Sequence, residues 1–573
     1  MAIYRADQAQ LTFGTEAAPG GMPELASSTT EGTGTALIDN SAGYAAGSRQ
    51  MTVSNAHANI VAGVFVRIGP EISADGGSAR ESEVRKIEFV DGTTLIFDAP
   101  TAFFHDNDTE LQLVTAVADT DVDKYIDLIP GVYETVDLPD PNMTIEPQYF
   151  LGTTSKRNFY SVYSGQQSFS GSIGNFVLLN GKALRFPIGQ VASSTLYVNT
   201  AGTDGDPTYG AMIDKTGGAK KGDVQVTVDA AYGTVVQNTY LVFTGSTTRT
   251  TESSTTSEVR KHIGSGSTTA IKLDYPLQFD HADDEYVFAV VTSDGGNTVA
   301  TTQSIPYTHA ITETVDLDSV TWHAHMRSSD EDSSKDFDRR YYGGKIGAAS
   351  ISAAEGGMVT MSWDSVNFLG MIHNQKRSSA FGSTDLPFYS LMKTIDSGDV
   401  KFPTTDPYYF SQGEVTMFGQ TIARIRDFTL SVSNGEEPRY YISKQMGRHR
   451  GPTEIKEGRR EYSMSATLAL PDSTVAAETS SPARTLFSEL LLEGDYGSGK
   501  AGFNVTITFT RGTNDSITIT LPDETASTGG NSQGAFIRTA PHNFGSENPF
   551  QVDADIVFRN LKIDVQDTEH YYP

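Results

Sequence analysis

The stretch SEVRK occurs twice, at Ser82–Lys86 and Ser257–Lys261. Each copy sets a glutamate two residues from an arginine: Glu83 with Arg85, and Glu258 with Arg260. On a strand, that spacing puts both side chains on one sheet face. They could act as an acid–base pair or rest as a plain ion pair; an exposed pair stabilises by about 0–1 kcal/mol. His105 and His281 follow proline-ended strands and precede acidic residues. Imidazoles there could serve as general bases, or simply bond a turn backbone. In WHAH, His323 and His325 share a strand face, a spacing zinc can use, but no third ligand follows nearby. Asp119, Asp121 and Asp123 begin like a calcium loop. Lys124 then takes the place of the turn glycine and Pro130 that of the bidentate glutamate, so an acidic linker fits better. GDYGSGKA, Gly494 to Ala501, nearly spells a phosphate-binding loop. Ala501 stands where a Mg²⁺-binding hydroxyl is required, and the order is helix–loop–strand, so a turn is expected. No Ser-His-Asp order or paired-carboxylate site stands out. No catalytic, cofactor-binding or metal-ligating residue is assigned, and the chain is not read as an enzyme.

SEVRK belongs to a longer repeat. At an offset of 175, Ile38 and Asp39 match Ile213 and Asp214, Gly43 and Gly47 match Gly218 and Gly222, and Gln50, Thr52 and Val53 match Gln225, Thr227 and Val228. After one inserted residue, Asp98, Pro100, Phe103, His105 and Asp108 match Asp274, Pro276, Phe279, His281 and Asp284. RQMTVSN and VQVTVDA, then GVFVRIG and TYLVFTG, alternate as strands do. Each unit is expected to be a small β-barrel or sandwich.

Outside the units the chain also reads as β. FNVTITFTR puts Phe503, Val505, Ile507 and Phe509 on one face, DSITITLP does the same with Ile517, Ile519 and Leu521, and GTN between them makes a hairpin. FTLSVSNG and DADIVFRNLKIDVQD alternate too. One helix is expected over SSPARTLFSELLLEG, with Ser481 as N-cap, Pro482 at its first position, Leu486, Phe487, Leu490 and Leu491 as its apolar face, and Gly494 after its end.

The 573 residues suggest about three or four domains. No cysteine is present, which excludes disulfides and thiolate sites. A net charge of −29 excludes holding duplex DNA by phosphate neutralisation, although a surface that repels phosphate lets DNA slide past. The N-terminal segment has no apolar signal-like run, and no stretch approaches the length of a membrane helix. No membrane association is expected.

The segment FPTTDPYYFSQGEVTMFGQTIARIRDFTLSVSNGEEPRYY resembles the C-terminal half of phage tail tube proteins, where a strand ends in an S-x-x-N turn after a glycine-bearing hairpin. The resemblance continues through Gly447 to Arg460. Upstream, the segments around WHAH and YYGGKIGAASISAAEGGMVTMSWD are similar to the family's middle, SFSGSIGNFVLLNGKALRFPIG to its first sheet-plus-helix part, and LTFGTEAAPG to its N-terminal motif.

The resemblance implies an all-β fold with one or two helices: a tail-tube β-barrel or sandwich core, read here as duplicated, with two inserted homologous small β-barrel domains. On this reading residues 1–34, 119–209 and 293–390 make the first core half, 391–573 the second, and 35–118 and 210–292 the inserted units. It also implies a major tail tube subunit of a long-tailed virus of bacteria or archaea, a homo-oligomer whose stacked rings conduct the genome. Three duplicated chains in a pseudo-sixfold ring and a true hexamer both remain open. The expected partners are further copies of the chain and the tape-measure, tail terminator and tail-tip proteins. Viral DNA passes without specific binding, and assembly takes place in the host cytoplasm. The competing reading is a tail-tip or surface adhesin whose repeated units grip host glycans; it calls for aromatic clusters on the repeats, and few are found.

Overall fold

The computed structural model describes residues 4–21, 26–55, 58–69, 83–97, 99–120, 129, 131–149, 161–198, 210–229, 238–248, 253, 255–263, 269–291, 293–294, 297–298, 305–328, 337–373, 405–417, 425–441, 451–469, 504–523, 535–539, 541–543, 551–569 and 571. The fold is all-β. Among the described residues, helical structure is confined to Arg185–Ile188 and the 3-10 turns Lys182–Leu184 and Phe410–Gln412. The helix expected from Ser481 and the turn from Gly494 to Ala501 lie outside the described residues, as does Lys124.

One antiparallel path runs from Val132–Tyr133 through Ser170–Val177, Thr360–Asn367, Phe337–Ala354, Ile425–Ser433, Glu461–Ala469 and Gln551–Phe558 to Phe536–Thr539. Its sequences alternate, with bulges near Ile173 and Ala348, so one face is apolar and the other carries hydroxyls and carboxylates. Ile351, Trp363, Leu430, Met464 and Ile556 point inward and are buried. Ser350, Ser362, Ser431, Ser463 and Asp555 occupy the opposite face. A second sheet, ordered Gly189–Ser194, Tyr307–Glu313, Lys562–Asp567, Asp515–Leu521, Val505–Gly512 and Gly413–Met417, covers the apolar face. Its Val505, Ile507, Phe509, Ile517, Ile519 and Leu521 are all buried, as the alternation requires.

Between the layers, Trp322 and Trp363 stack with centroids 6.2 Å apart, and Phe13, Phe176 and Phe186 meet Trp363 edge-on. Fully burying each such side chain stabilises by about 1.5–3 kcal/mol. The run DADIVFRNLKIDVQD, one alternating stretch in sequence, divides into Gln551–Phe558 in the first layer and Lys562–Asp567 in the second. The chain changes layers at residues 559–561, where Leu561 is buried.

The 18-residue strand Phe337–Ala354 changes partners midway. Its first part pairs with Val320–Ser328 and Gly370–His373, and its second with Thr360–Asn367 and Ile425–Ser433. Gly343 and Gly344 make the change possible. Gly343 has φ +66, and a Cβ on Gly344 would strike the Phe368 ring.

The repeated segments fold alike. Phe65–Ile68, Glu83–Asp91 and Glu110–Thr120 of the first are matched by Tyr240–Phe243, Glu258–Lys261 and Tyr286–Ala289 of the second. Gln50–Thr52 pairs with Thr94–Phe97 as Gln225–Thr227 pairs with Ala270–Lys272. Each repeat has its own apolar cluster. Neither hangs free of the rest. Phe103 and Tyr275 enter the central core, and the Tyr275 hydroxyl donates to the Thr15 carbonyl. Ser193 N donates to Ser257 O at 2.9 Å, and Phe104 N to Gly222 O at 3.2 Å, which joins the two repeats.

Candidate functional site

The repeated charged residues converge on buried centres. Glu83, Arg85 and His105 come together in the first repeat, and Glu258, Arg260 and His281 in the second. Glu83 Oε2 lies 2.5 Å from Arg85 Nη2, and its Oε1 lies 2.6 Å from His105 Nε2. The Ala102 and Phe103 amides donate to the same carboxylate at 2.9 and 3.3 Å, while Arg85 Nε donates to Pro100 O at 3.0 Å. The second repeat reproduces each bond: Gln278 and Phe279 amides to Glu258 at 3.0 and 3.3 Å, and Arg260 Nε to Pro276 O at 3.2 Å.

Two expectations are corrected here. The Glu–Arg pair is buried rather than exposed, and the histidines bond a carboxylate rather than a turn backbone; it is the glutamate that takes the turn amides. The reason is tertiary: the turn after the proline-ended strand comes back to the SEVRK strand and sets its amides on the glutamate. Burial alone would raise Glu83 and Glu258, yet the arginine charge and the histidine hydrogen bond outweigh it and hold both below the usual range. The side chains of Glu83, His105, Glu258 and His281 have no exposed surface, so no substrate reaches them. The centres tie two strands and a turn together. A signal for them was present in the sequence: the Glu, Arg, Pro, Phe and His that build the centres are among the residues the two repeats share.

His323 and His325 do share a face, 1% and 8% exposed. Their strand is packed between Tyr4–Thr15 and Phe337–Ala354. Among the described residues, no group of three His, Asp or Glu side chains is gathered for a metal.

A constellation with no sequence signal lies across the second layer. Ser193 Oγ is 2.8 Å from His309 Nδ1, and His309 Nε2 is 3.2 Å from Asp567 Oδ1. All three are at most 3% exposed, and the Tyr571 ring stacks on the imidazole at 3.7 Å. Closed on that face, the arrangement holds the Asp567–Tyr571 segment rather than offering a nucleophile. Its members come from positions 193, 309 and 567, so only strand pairing brings them together.

Among the described residues, two surfaces stand out. The first is the polar face of the long strand path. Ser350 and Ser362 hydroxyls lie 2.7 Å apart, Ser352 and Thr360 2.9 Å, and Thr467 donates to Asp553 at 3.2 Å. Asp364, Asp427 and Asp553 are exposed on it. The second is a separate ribbon, Asn142–Gln148 paired with Ser161–Ser168. Its apolar side chains face solvent: Ile145 is 61% exposed and Val162 46%, and Tyr149 just beyond is 71% exposed. Exposed apolar side chains gathered on one ribbon make it a candidate contact surface.

A family model described as phage tail tube protein matches residues 211–556. No curated protein matches the chain.

Proposed function

Because the chain belongs to the phage tail tube protein family, and so is a structural subunit of a viral tail tube, we propose that three copies close a pseudo-sixfold ring whose lumen is the hydroxyl- and carboxylate-bearing sheet face. One observation carries this reading. The path of eight strands reads as two consecutive sets of four. Ser170–Val177 beside Thr360–Asn367 in one set corresponds to Glu461–Ala469 beside Gln551–Phe558 in the other. This supports the duplicated core and its proposed halves.

Three such chains supply about 24 strands. At ~4.8 Å per strand the ring is ~115 Å around and ~37 Å across before strand tilt widens it. The edges at Val132–Tyr133 and Phe536–Thr539 would pair with neighbouring copies, which removes free edges. The ribbon at 142–168 would seat its apolar side chains on another copy. DNA would slide past hydroxyls and carboxylates that hold no phosphate.

The units at 35–118 and 210–292 are read as insertions that decorate the outside, since insertions are tolerated at exposed loops. Assembly in the host cytoplasm around a tape-measure protein, with terminator and tip proteins at the two ends, completes the reading. Electron microscopy of concentrated protein tests it. Threefold striated tubes with an open lumen are expected. True sixfold rings would overturn the trimer, and a monomer that never polymerises beside a tail-initiation complex would overturn the whole reading.

A further inference from the structure

Lys345 and Asn367 are direct partners in the antiparallel register of Phe337–Ala354 with Thr360–Asn367. Such partners hold their Cβ atoms about 4.5–5.5 Å apart. Their neighbours Ile346 and Val366 enter the central core, so Lys345 and Asn367 share the opposite face.

The turn after Ile425–Ser433 brings Glu436 to the same place. Asn434 N donates to Gly347 O at 2.8 Å, and Gly435 has φ +56. A Cβ built on Gly347 would lie 3.5 Å from Glu436 Oε2 and 3.7 Å from Asn367 Nδ2. Lys345 Nζ meets Glu457 Oε1, which also accepts the Leu317 amide at 3.0 Å. Lys345 is 6% exposed, and both Glu436 oxygens are closed to solvent, with the Asn367 amide beside them.

The two carboxyls are set apart chemically. Burial pushes Glu436 up to about 8, with the Lys345 charge and the Asn367 amide only partly offsetting it. At Glu457 burial also raises, but the Lys345 hydrogen bond and charge and the Leu317 amide outweigh it and hold the group low. Paired carboxyls in contrasting environments divide the acid and base roles between them.

We propose that this cluster forms a covalent cross-link within the folded subunit, an amide between Lys345 Nζ and Asn367 Cγ, with Glu457 as base and Glu436 as acid. Lys345 gives a proton to Glu457, and the freed amine attacks Asn367 Cγ. Glu436 protonates the carbonyl oxygen as the N–C bond forms. The proton left on Nζ passes to the Glu436 carboxylate. Glu457 returns its proton to Nδ2, the Cγ–Nδ2 bond breaks and ammonia leaves. The carbonyl re-forms, and its proton goes to the departing ammonia. An ammonium and a primary amide thus become a secondary amide and an ammonium ion, with no oxidant, water or cofactor. The strand register supplies the proximity that makes such an uncommon attack feasible.

Intact-mass spectrometry of the full chain, purified from assembled tubes and denatured, tests the proposal. The wild-type chain should be lighter than its sequence mass by one ammonia. Glu436→Gln, which keeps the shape and removes only the acidic proton, and Lys345→Arg, which keeps the charge beside Glu457, should each run at full sequence mass. Proteolysis of the wild type should release a branched peptide joining residues 345 and 367. A wild-type chain at full mass overturns the proposal even if neither variant folds. So does an ammonia loss that persists in Lys345→Arg. Loss of one water instead would place the bond on Glu457 and overturn the assignment to Asn367.

Discussion

His281 Nδ1 lies 2.8 Å from Glu285 Oε2, whereas the first repeat has Thr109 at the equivalent position. The residues before them correspond in conformation, Asp284 at φ 66 and Asp108 at φ 64. The second centre therefore clamps its imidazole between two carboxylates, Glu258 and Glu285, with Arg260 on the far side of Glu258 and the Phe243 ring 5.5 Å away.

A pH dependence follows. Burial would lower His281, but the hydrogen bonds and charges of Glu258 and Glu285 raise it from 6.5 to about 9. A raised histidine adds stability that is fully present below its unfolded pKa, about 6.5, and is lost as pH rises through the folded value, about 9. Hydrogen exchange of Glu258–Lys261 should quicken across that window. In Glu285→Thr the quickening should begin at lower pH; an unchanged profile would show that the second carboxylate does not hold the proton.

Removing the central carboxylate should be severe. Glu258→Ala leaves Arg260 buried without its partner and strips two turn amides of their acceptor, a loss of about 3–5 kcal/mol. Glu83→Ala should cost a similar amount in the first repeat. Denaturant unfolding, with exchange to separate the repeats, gives the values. A loss under about 1 kcal/mol, the size of an exposed pair, would contradict the buried geometry.

The ribbon should matter to assembly and not to folding. Ile145→Asp combined with Val162→Asp changes two exposed side chains, so circular dichroism and melting temperature should stay within a few degrees of wild type. Tube formation by sedimentation and microscopy should fall sharply. Tubes of normal length would remove the ribbon from the contact.

The polar face should control retention of DNA. Asp553→Lys with Asp364→Lys places cations where the wild type has exposed carboxylates. Assembled tubes should then hold duplex DNA at low salt and release it as salt rises. Equal DNA binding by wild-type and variant tubes would place that face away from the lumen.

Deleting residues 210–292 should leave tube formation intact while lowering stability. Tyr275 leaves the central core, the Thr15 carbonyl loses the Tyr275 hydroxyl, and the Ser193 amide loses its acceptor, Ser257 O. Replacing the unit by a short linker and measuring both melting and polymerisation separates the two effects. Loss of polymerisation in a variant that still folds would show that the unit belongs to the tube wall.

Much was legible without the fold. Strict alternation at Val505, Ile507 and Phe509, and at Ile517, Ile519 and Leu521, determined a two-faced hairpin, because a period of two leaves a strand only one way to bury its apolar side. The offsets of 175 and 176 determined the duplicated units, because one backbone folded twice retains the glycines and charged residues that its turns and interior require. The tail tube resemblance rested on motif order along the chain. Long-range pairing decided the rest. Local pattern could not say that Glu83 and Arg85 are buried, since an alternating strand becomes two-sided or fully buried only when something covers it. Nor could it bring together Ser193, His309 and Asp567, or Lys345, Asn367, Glu436 and Glu457. Those groups meet through strand register and turn placement between residues far apart in the chain, and register is set by the packing of whole sheets, not by any short stretch of chain.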